Sequence, residues 1–294
     1  MEKYIIYTND LKFKNLRNID PLKVNWDNEK VKDCYYTKNF DTVGYRLKEC
    51  KNNNFYYLDL SHLNLSVFPD ISKYKYYENV TKIKYLFICN NNLKECDSFL
   101  KLFDNLEVLD ISYNNIEKIY FLPAKLNEFV CNNNKLVIIP SHELVNKIDC
   151  SYNNLVLLPN YPKLIDFLCN DNKIENITTY SNINRIVCKQ NPIINIEYQP
   201  KMNYLDCSNT NLIGQFSNMP NLKYLICNHT KINDIANLNS LISLEIYDCS
   251  INKIPYIATL KDLLYQNTQN ILLSSKYKIL THIDEHDNSF IKFI

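Results

Sequence analysis

Apolar and polar residues recur along most of this chain in one phrase of eleven positions. The phrase reads LEVLDISYNNI at 106–116, LNEFVCNNNKL at 126–136, VNKIDCSYNNL at 145–155 and LIDFLCNDNKI at 164–174. INRIVCKQNPI (183–193), MNYLDCSNTNL (202–212), LKYLICNHTKI (222–232) and LISLEIYDCSI (241–251) continue it in phase. Positions one, four, six and eleven are apolar, and looser copies flank the run at FYYLDLSHLNL (55–65), IKYLFICNNNL (83–93) and LKDLLYQNTQN (260–270). Self-similarity at a fixed short period marks a solenoid, in which each unit buries its apolar side against its neighbours.

The alternation around positions four and six predicts a short strand in every copy. Positions four and six then face inward, and three, five and seven face the open side. Each unit of 19 to 20 residues leaves about eight or nine for the return path, too few for a three-turn helix and two corners. Pro140, Pro159, Pro162, Pro200, Pro220 and Pro255 fall in that return and favour polyproline-like or short 3₁₀ backbone there. The expected shape is a curved horseshoe with a parallel β-sheet on its concave face and a mostly non-helical convex side.

The phrase LxxLxLxxNxL resembles the leucine-rich repeat family, over residues 55–273, about three quarters of the chain. The resemblance implies an α/β-class leucine-rich repeat solenoid of about ten or eleven repeats. A solenoid exposes its core at both ends, so residues 1–54, which carry Trp26, are expected as an N-terminal cap and 274–294 as a C-terminal cap.

At position nine stand Asn91, Asn114, Asn134, Asn153, Asn172 and Asn191, followed by Thr210, Thr230 and Cys249. An amide carries both donor and acceptor, so a turned-in Asn can bond backbone groups that bend away from the sheet. The replacements weaken that support toward the C-terminal end. Position six holds Cys131, Cys150, Cys169, Cys188, Cys207 and Cys227, alternating with Ile88, Ile111 and Ile246. Stacked rungs lie about 4.8 Å apart with parallel Cβ vectors, against the roughly 3.8 Å a disulfide prefers, and a straight row of thiols cannot close a tetrahedral shell. These cysteines therefore read as small core hydrophobes with raised pKa, not as metal ligands or nucleophiles.

Composition changes the picture little. A formal net charge of +1 marks no polyanion binder, and no apolar run reaches membrane-span or signal-peptide length, so a cytoplasmic protein with neither nucleic-acid nor membrane partners is expected. With only Gly44 and Gly214, no glycine-rich phosphate loop is possible. In HIDEHD (282–287), His282 and His286 would share a face on a helix, but Ile283 stands where a zinc protease needs Glu. No catalytic residue, metal site or cofactor is assigned.

The open face carries the functional expectation. Position five runs Asp59, Phe87, Asp110, Val130, Asp149, Leu168, Val187, Asp206, Ile226, Glu245 and Leu264, with Ser61, Ser112, Ser151 and Ser208 placed to donate to the acids. Tyr57, Tyr85 and Phe87 are expected under the N-terminal cap. Farther along, Leu168, Arg185, Val187, Tyr204, Tyr224, Ile226 and Tyr247 compose an apolar and aromatic patch of hot-spot residue types. The expected function, supported by the family resemblance, is a non-enzymatic interaction module binding a protein partner through the concave face. The alternative is a substrate-recognition adaptor of a ubiquitin-ligase-type complex, docking through residues 1–54.

Overall fold

The computed structural model describes residues 42–74, 77–216, 218–266, 271–285 and 288–293. The chain divides into two compact units, Met1–Tyr45 and Arg46–Ile294, and the solenoid lies within the second. Trp26 and most of the expected N-terminal cap lie outside the described residues. The helix Thr42–Asn52 buries Leu47 and Cys50, and Arg46 meets Asp59 of the first strand at 3.5 Å.

Eleven parallel strands follow in sequence order, from Tyr57–Asp59 to Asp262–Gln266, within one thirteen-stranded sheet. Each begins at motif position three and pairs level with the same position of the next unit. Tyr204, for example, sits between Arg185 and Tyr224. A slip of one residue would turn every core leucine outward, so the apolar phrase itself fixes this register. In one such unit, Leu126, Phe129, Cys131 and Leu136 at positions one, four, six and eleven are all fully buried.

Unit length decides where helix appears. Tyr57 and Tyr85 are level partners 28 residues apart, and Tyr85 and Val108 are 23 apart. The extra residues form 3₁₀ segments at Ile71–Lys73 and Tyr77–Lys82 and the short helix Asp97–Leu100, on whose Phe99 the ring of Phe68 stacks at 4.2 Å. Later units have no residues to spare and return in extended form.

That return differs in part from the polyproline-like expectation. Asn176–Ile177 pairs with Asn195–Ile196, Ile213–Gln215 with Lys231–Asp234, and Lys253–Ile254 with Leu272–Leu273, all parallel. Extended segments stacked at rung spacing can hydrogen-bond wherever no proline removes the donor, so a second, broken ladder forms. Beside the prolines the next unit's side chains take over. The hydroxyls of Tyr161, Tyr180 and Tyr277 donate to the carbonyls of Pro140, Pro159 and Pro255 at 2.6, 3.5 and 2.7 Å.

Position eight adopts left-handed backbone in successive turns, from His62 (φ 63°) through Tyr113, Asn133, Tyr152 and Asp171 to Asp248 (φ 49°). Glycine would be the unstrained choice, yet Gly214 is the only glycine of the repeats. Asn and Asp tolerate this region, whereas the two tyrosines are held there by the ladder, as when the Tyr152 N–H donates to the Asn170 carbonyl at 2.8 Å.

The sheet ends in an antiparallel hairpin. Asn288–Phe293 pairs with Asp262–Gln266, and Ile279–Glu285 lies outside it. Ile291 and Phe293 are buried, with Tyr277 stacked on Phe293 at 4.3 Å. His282 therefore stands in a strand, where the shared helix face considered from HIDEHD does not exist, and His286 lies outside the described residues.

Candidate interaction surface

Two polar ladders and one apolar row set what the open face can present. The first ladder is the inturned amides. Asn114 Nδ2 donates to the carbonyls of Ile88 (3.0 Å), Ile111 (3.0 Å) and Ser112 (3.2 Å), while its Oδ1 accepts from the Leu93 N–H (3.0 Å). Asn91, Asn134, Asn153, Asn172 and Asn191 repeat the arrangement in their own turns. Thr210 and Thr230 keep the bond to their own strand end, at 2.7 and 2.8 Å from the carbonyls of Cys207 and Cys227, and Thr230 Oγ1 also meets the Cys249 thiol at 3.6 Å. Cys249 takes over one cross-turn bond, its Sγ donating to the Cys227 carbonyl at 2.9 Å.

The cysteine row is core. Cys131, Cys150, Cys169, Cys188, Cys207 and Cys227 are fully buried and form no disulfide. Burial pushes the thiols of Cys131, Cys150, Cys169 and Cys207 well above the ordinary range, which suppresses the nucleophilic thiolate. Among the described residues no group of three or more His, Cys, Asp or Glu side chains converges on a point that could hold a metal ion.

On the open side, most position-five acids serve the fold. Asp59, Asp110, Asp149 and Asp206 each accept the backbone N–H of the serine two residues on, at 2.8, 2.9, 3.0 and 3.2 Å. The serine hydroxyl adds a bond to Asp110 (2.6 Å) and Asp206 (2.9 Å). Position seven forms the second ladder. Ser151 Oγ accepts from the Asn170 N–H at 3.2 Å, and Asn170 Oδ1 accepts from the Lys189 N–H at 2.9 Å. The sequence reading placed hydroxyls against carboxylates but missed the backbone donors. The Asp-x-Ser spacing, which recurs four times, was the available signal.

Of the expected patch, Tyr224 is exposed, while Leu168, Tyr204, Ile226 and Tyr247 are half-buried. Val187 is a correction in one respect: it stands on the open side but is only 5% exposed, packed level between Leu168 and Asp206. Arg185 is fixed from two sides, by Asp166 at 3.1 Å and by the ring of Tyr204 at 5.3 Å from its centroid. Tyr224 lies one rung farther in the same column, so Asp166, Arg185, Tyr204 and Tyr224 form a continuous row. In the earlier cluster, Tyr56 and Tyr85 join hydroxyls at 3.1 Å, and Tyr57 accepts from Asn53 Nδ2 at 2.9 Å.

No protein-family model and no curated protein sequence matches the chain. Solved structures do. YopM, a leucine-rich effector protein from Yersinia pestis, is 21% identical with a TM-score of 0.65, covering 79% of this chain and 77% of its own. The leucine-rich repeat domain of APL1B is 18% identical with a TM-score of 0.56, covering 78% and 70%. The LRIM1/APL1C complex gives 19% and 0.57, with 70% of this chain spanning 42% of that one. This chain has the leucine-rich repeat fold.

Within that leucine-rich repeat sheet, Asp149 is the electrostatic oddity. Burial pushes its carboxyl above the ordinary range, the neighbouring carboxylates of Asp110 and Asp166 add to this, and the Ser151 bonds oppose it. Repulsion between open-face acids is thus secondary to desolvation. A carboxyl whose folded pKa is raised favours the fold in its protonated form, and that contribution is lost as pH rises through the folded value. Asp149→Asn keeps an acceptor for the Ser151 N–H and removes the desolvated charge. Its urea midpoint should exceed the parent's at about pH 7, and the gap should close as pH falls into the carboxylate range. A lower midpoint for the variant at neutral pH would contradict the assignment.

Proposed function

We propose that this chain is a non-enzymatic interaction module that takes a protein partner on the open face of its leucine-rich repeat sheet, over the turns from Asp166 to Tyr247. One observation carries the reading. Arg185, held by Asp166 and stacked on Tyr204, stands in one row with the exposed Tyr224, which lies on the far side of Tyr204 in the strand register. Arg and Tyr are the residue types that dominate binding hot spots, and side chains already locked in place lose little entropy when a partner arrives. The LRIM1/APL1C structure is a complex of two proteins, which supports an interaction role in general terms. Among the described residues no helix is long and apolar enough to cross a membrane.

The test compares the full chain with Tyr224→Ser/Ile226→Ser as baits in affinity capture read by mass spectrometry, followed by titration of the captured protein. The double variant should bind roughly thirtyfold more weakly, the equivalent of about 2 kcal/mol for a hot spot, with its melting temperature close to the parent's. Full affinity in the variant would retire this surface.

A further inference from the structure

The edge of the solenoid where each strand begins holds a groove of about 490 Å³, lined by Asn146, Lys163, Ile165, Asn182, Asn184 and Lys201. Lys163, Asn182 and Lys201 occupy the place just before motif position one, and Asn146, Ile165 and Asn184 occupy position two. We propose that this edge is a second binding surface, separate from the open face, which takes an extended, aspartate- or glutamate-bearing segment of a protein partner.

Charge points there first. Among the described residues Lys163 and Lys201 meet no carboxylate. Lys201 Nζ instead donates to the neutral Asn182 Oδ1 at 2.8 Å, and Asn182 is steadied by its own bond to the Pro162 carbonyl at 3.0 Å. Lys223, one turn on, is likewise without an ion pair among the described residues, and Asp166, at position three of the unit that follows Lys163, is taken by Arg185 at 3.1 Å. The groove's two lysines thus have no carboxylate partner within ion-pair distance among the described residues, in a chain whose net charge is only +1. Three lysines supply too few phosphate contacts for a nucleic acid, whose affinity grows with the number of charges neutralised, but they match a short acidic peptide.

Spacing gives the ligand its form. Lys163 and Lys201 stand two rungs apart, about 9.6 Å at the usual strand separation. A polyproline-type peptide returns to the same face every three residues, about 9.3 Å. Acids three apart would thus meet both lysines. Asn184 stands on the rung between them, Asn146 one rung before Lys163 and Asn203 on the rung of Lys201. Their side-chain amides bond no protein group among the described residues, and each offers a donor and an acceptor to a passing backbone. Ile165, 46% exposed, gives an apolar floor for a residue between the acids.

The probe is a fluorescein-labelled peptide with aspartate at every third position and leucine between, read by fluorescence anisotropy against the full chain at low salt. It should bind, at least tenfold more tightly than its asparagine counterpart. Lys163→Gln/Lys201→Gln should weaken binding at least tenfold. Lys135→Gln/Lys173→Gln, on the opposite edge, and Tyr224→Ser/Ile226→Ser, on the open face, should leave it unchanged. All four lysines are exposed, so melting curves will match the parent's. No binding of the acidic peptide, equal binding of the asparagine peptide, or equal loss with the opposite-edge variant would overturn the proposal. So would tighter, lysine-dependent binding of a single-stranded oligothymidylate.

Discussion

Asn153→Leu is expected to lower the stability of the solenoid by about 3 kcal/mol, whereas Thr210→Val at the same motif position should cost only about 1 kcal/mol. Both residues are buried at position nine, and they differ in what they hold. Asn153 Nδ2 reaches the carbonyls of Cys131 (3.1 Å), Cys150 (3.0 Å) and Ser151 (3.2 Å), and Oδ1 accepts from the Leu136 N–H at 2.9 Å. The three carbonyls keep other donors: Asn134 Nδ2, Asn172 Nδ2 and the Asn133 N–H. The Leu136 N–H loses its acceptor in a dry turn, and a buried orphan donor costs the full desolvation term. Thr210 gives up a single bond, at 2.7 Å to the Cys207 carbonyl. Urea denaturation of the two variants measures the difference. If Asn153→Leu proved no more damaging than Thr210→Val, the amide ladder would not be what joins the turns.

The contrast also explains how far the sequence could be read. Strand positions, their parallel order and the buried cysteine row were legible because each depends on side-chain period alone, and period is what a repeat displays. Helix Asp97–Leu100 and the 3₁₀ segments were foreshadowed only by the greater length of the early units. The back ladder was not legible, since an extended return pairs with its neighbour according to where prolines fall relative to rung height. The open face was the least readable. Sequence alternation assigns Val187 outward, yet neighbours on adjacent rungs close over it, because a face only three residues wide is covered by whatever long side chains flank it. Likewise Asp110 and Asp206 looked like exposed charges and are turn acceptors. Arg185, Tyr204 and Tyr224 were already grouped by their motif positions, but the hold of Asp166 on Arg185 came only with the structure, whose register brings together residues 19 or 20 positions apart in the chain.

Phe167→Ala should be the most damaging single change, at about 4–5 kcal/mol, the upper part of the range for a buried aromatic. Phe167 fills position four at 1% exposure, level with Ile148 and Ile186 and edge-on to Tyr180 at 6.0 Å. Collapse normally softens such a loss, but here the rungs on both sides are held at fixed height by the Asn153 and Asn172 bonds, and the thiols of Cys150, Cys169 and Cys188 are too small to fill the space. The cavity therefore persists. In a structure where each unit touches only its neighbours, the penalty falls on two interfaces and leaves the remote turns as they were. Hydrogen exchange should then show amides between residues 145 and 193 losing protection ahead of those around Leu109 and Leu244, and the denaturation transition should broaden or split. A single transition of unchanged steepness, with protection falling equally at both ends, would show instead that the turns melt as one body.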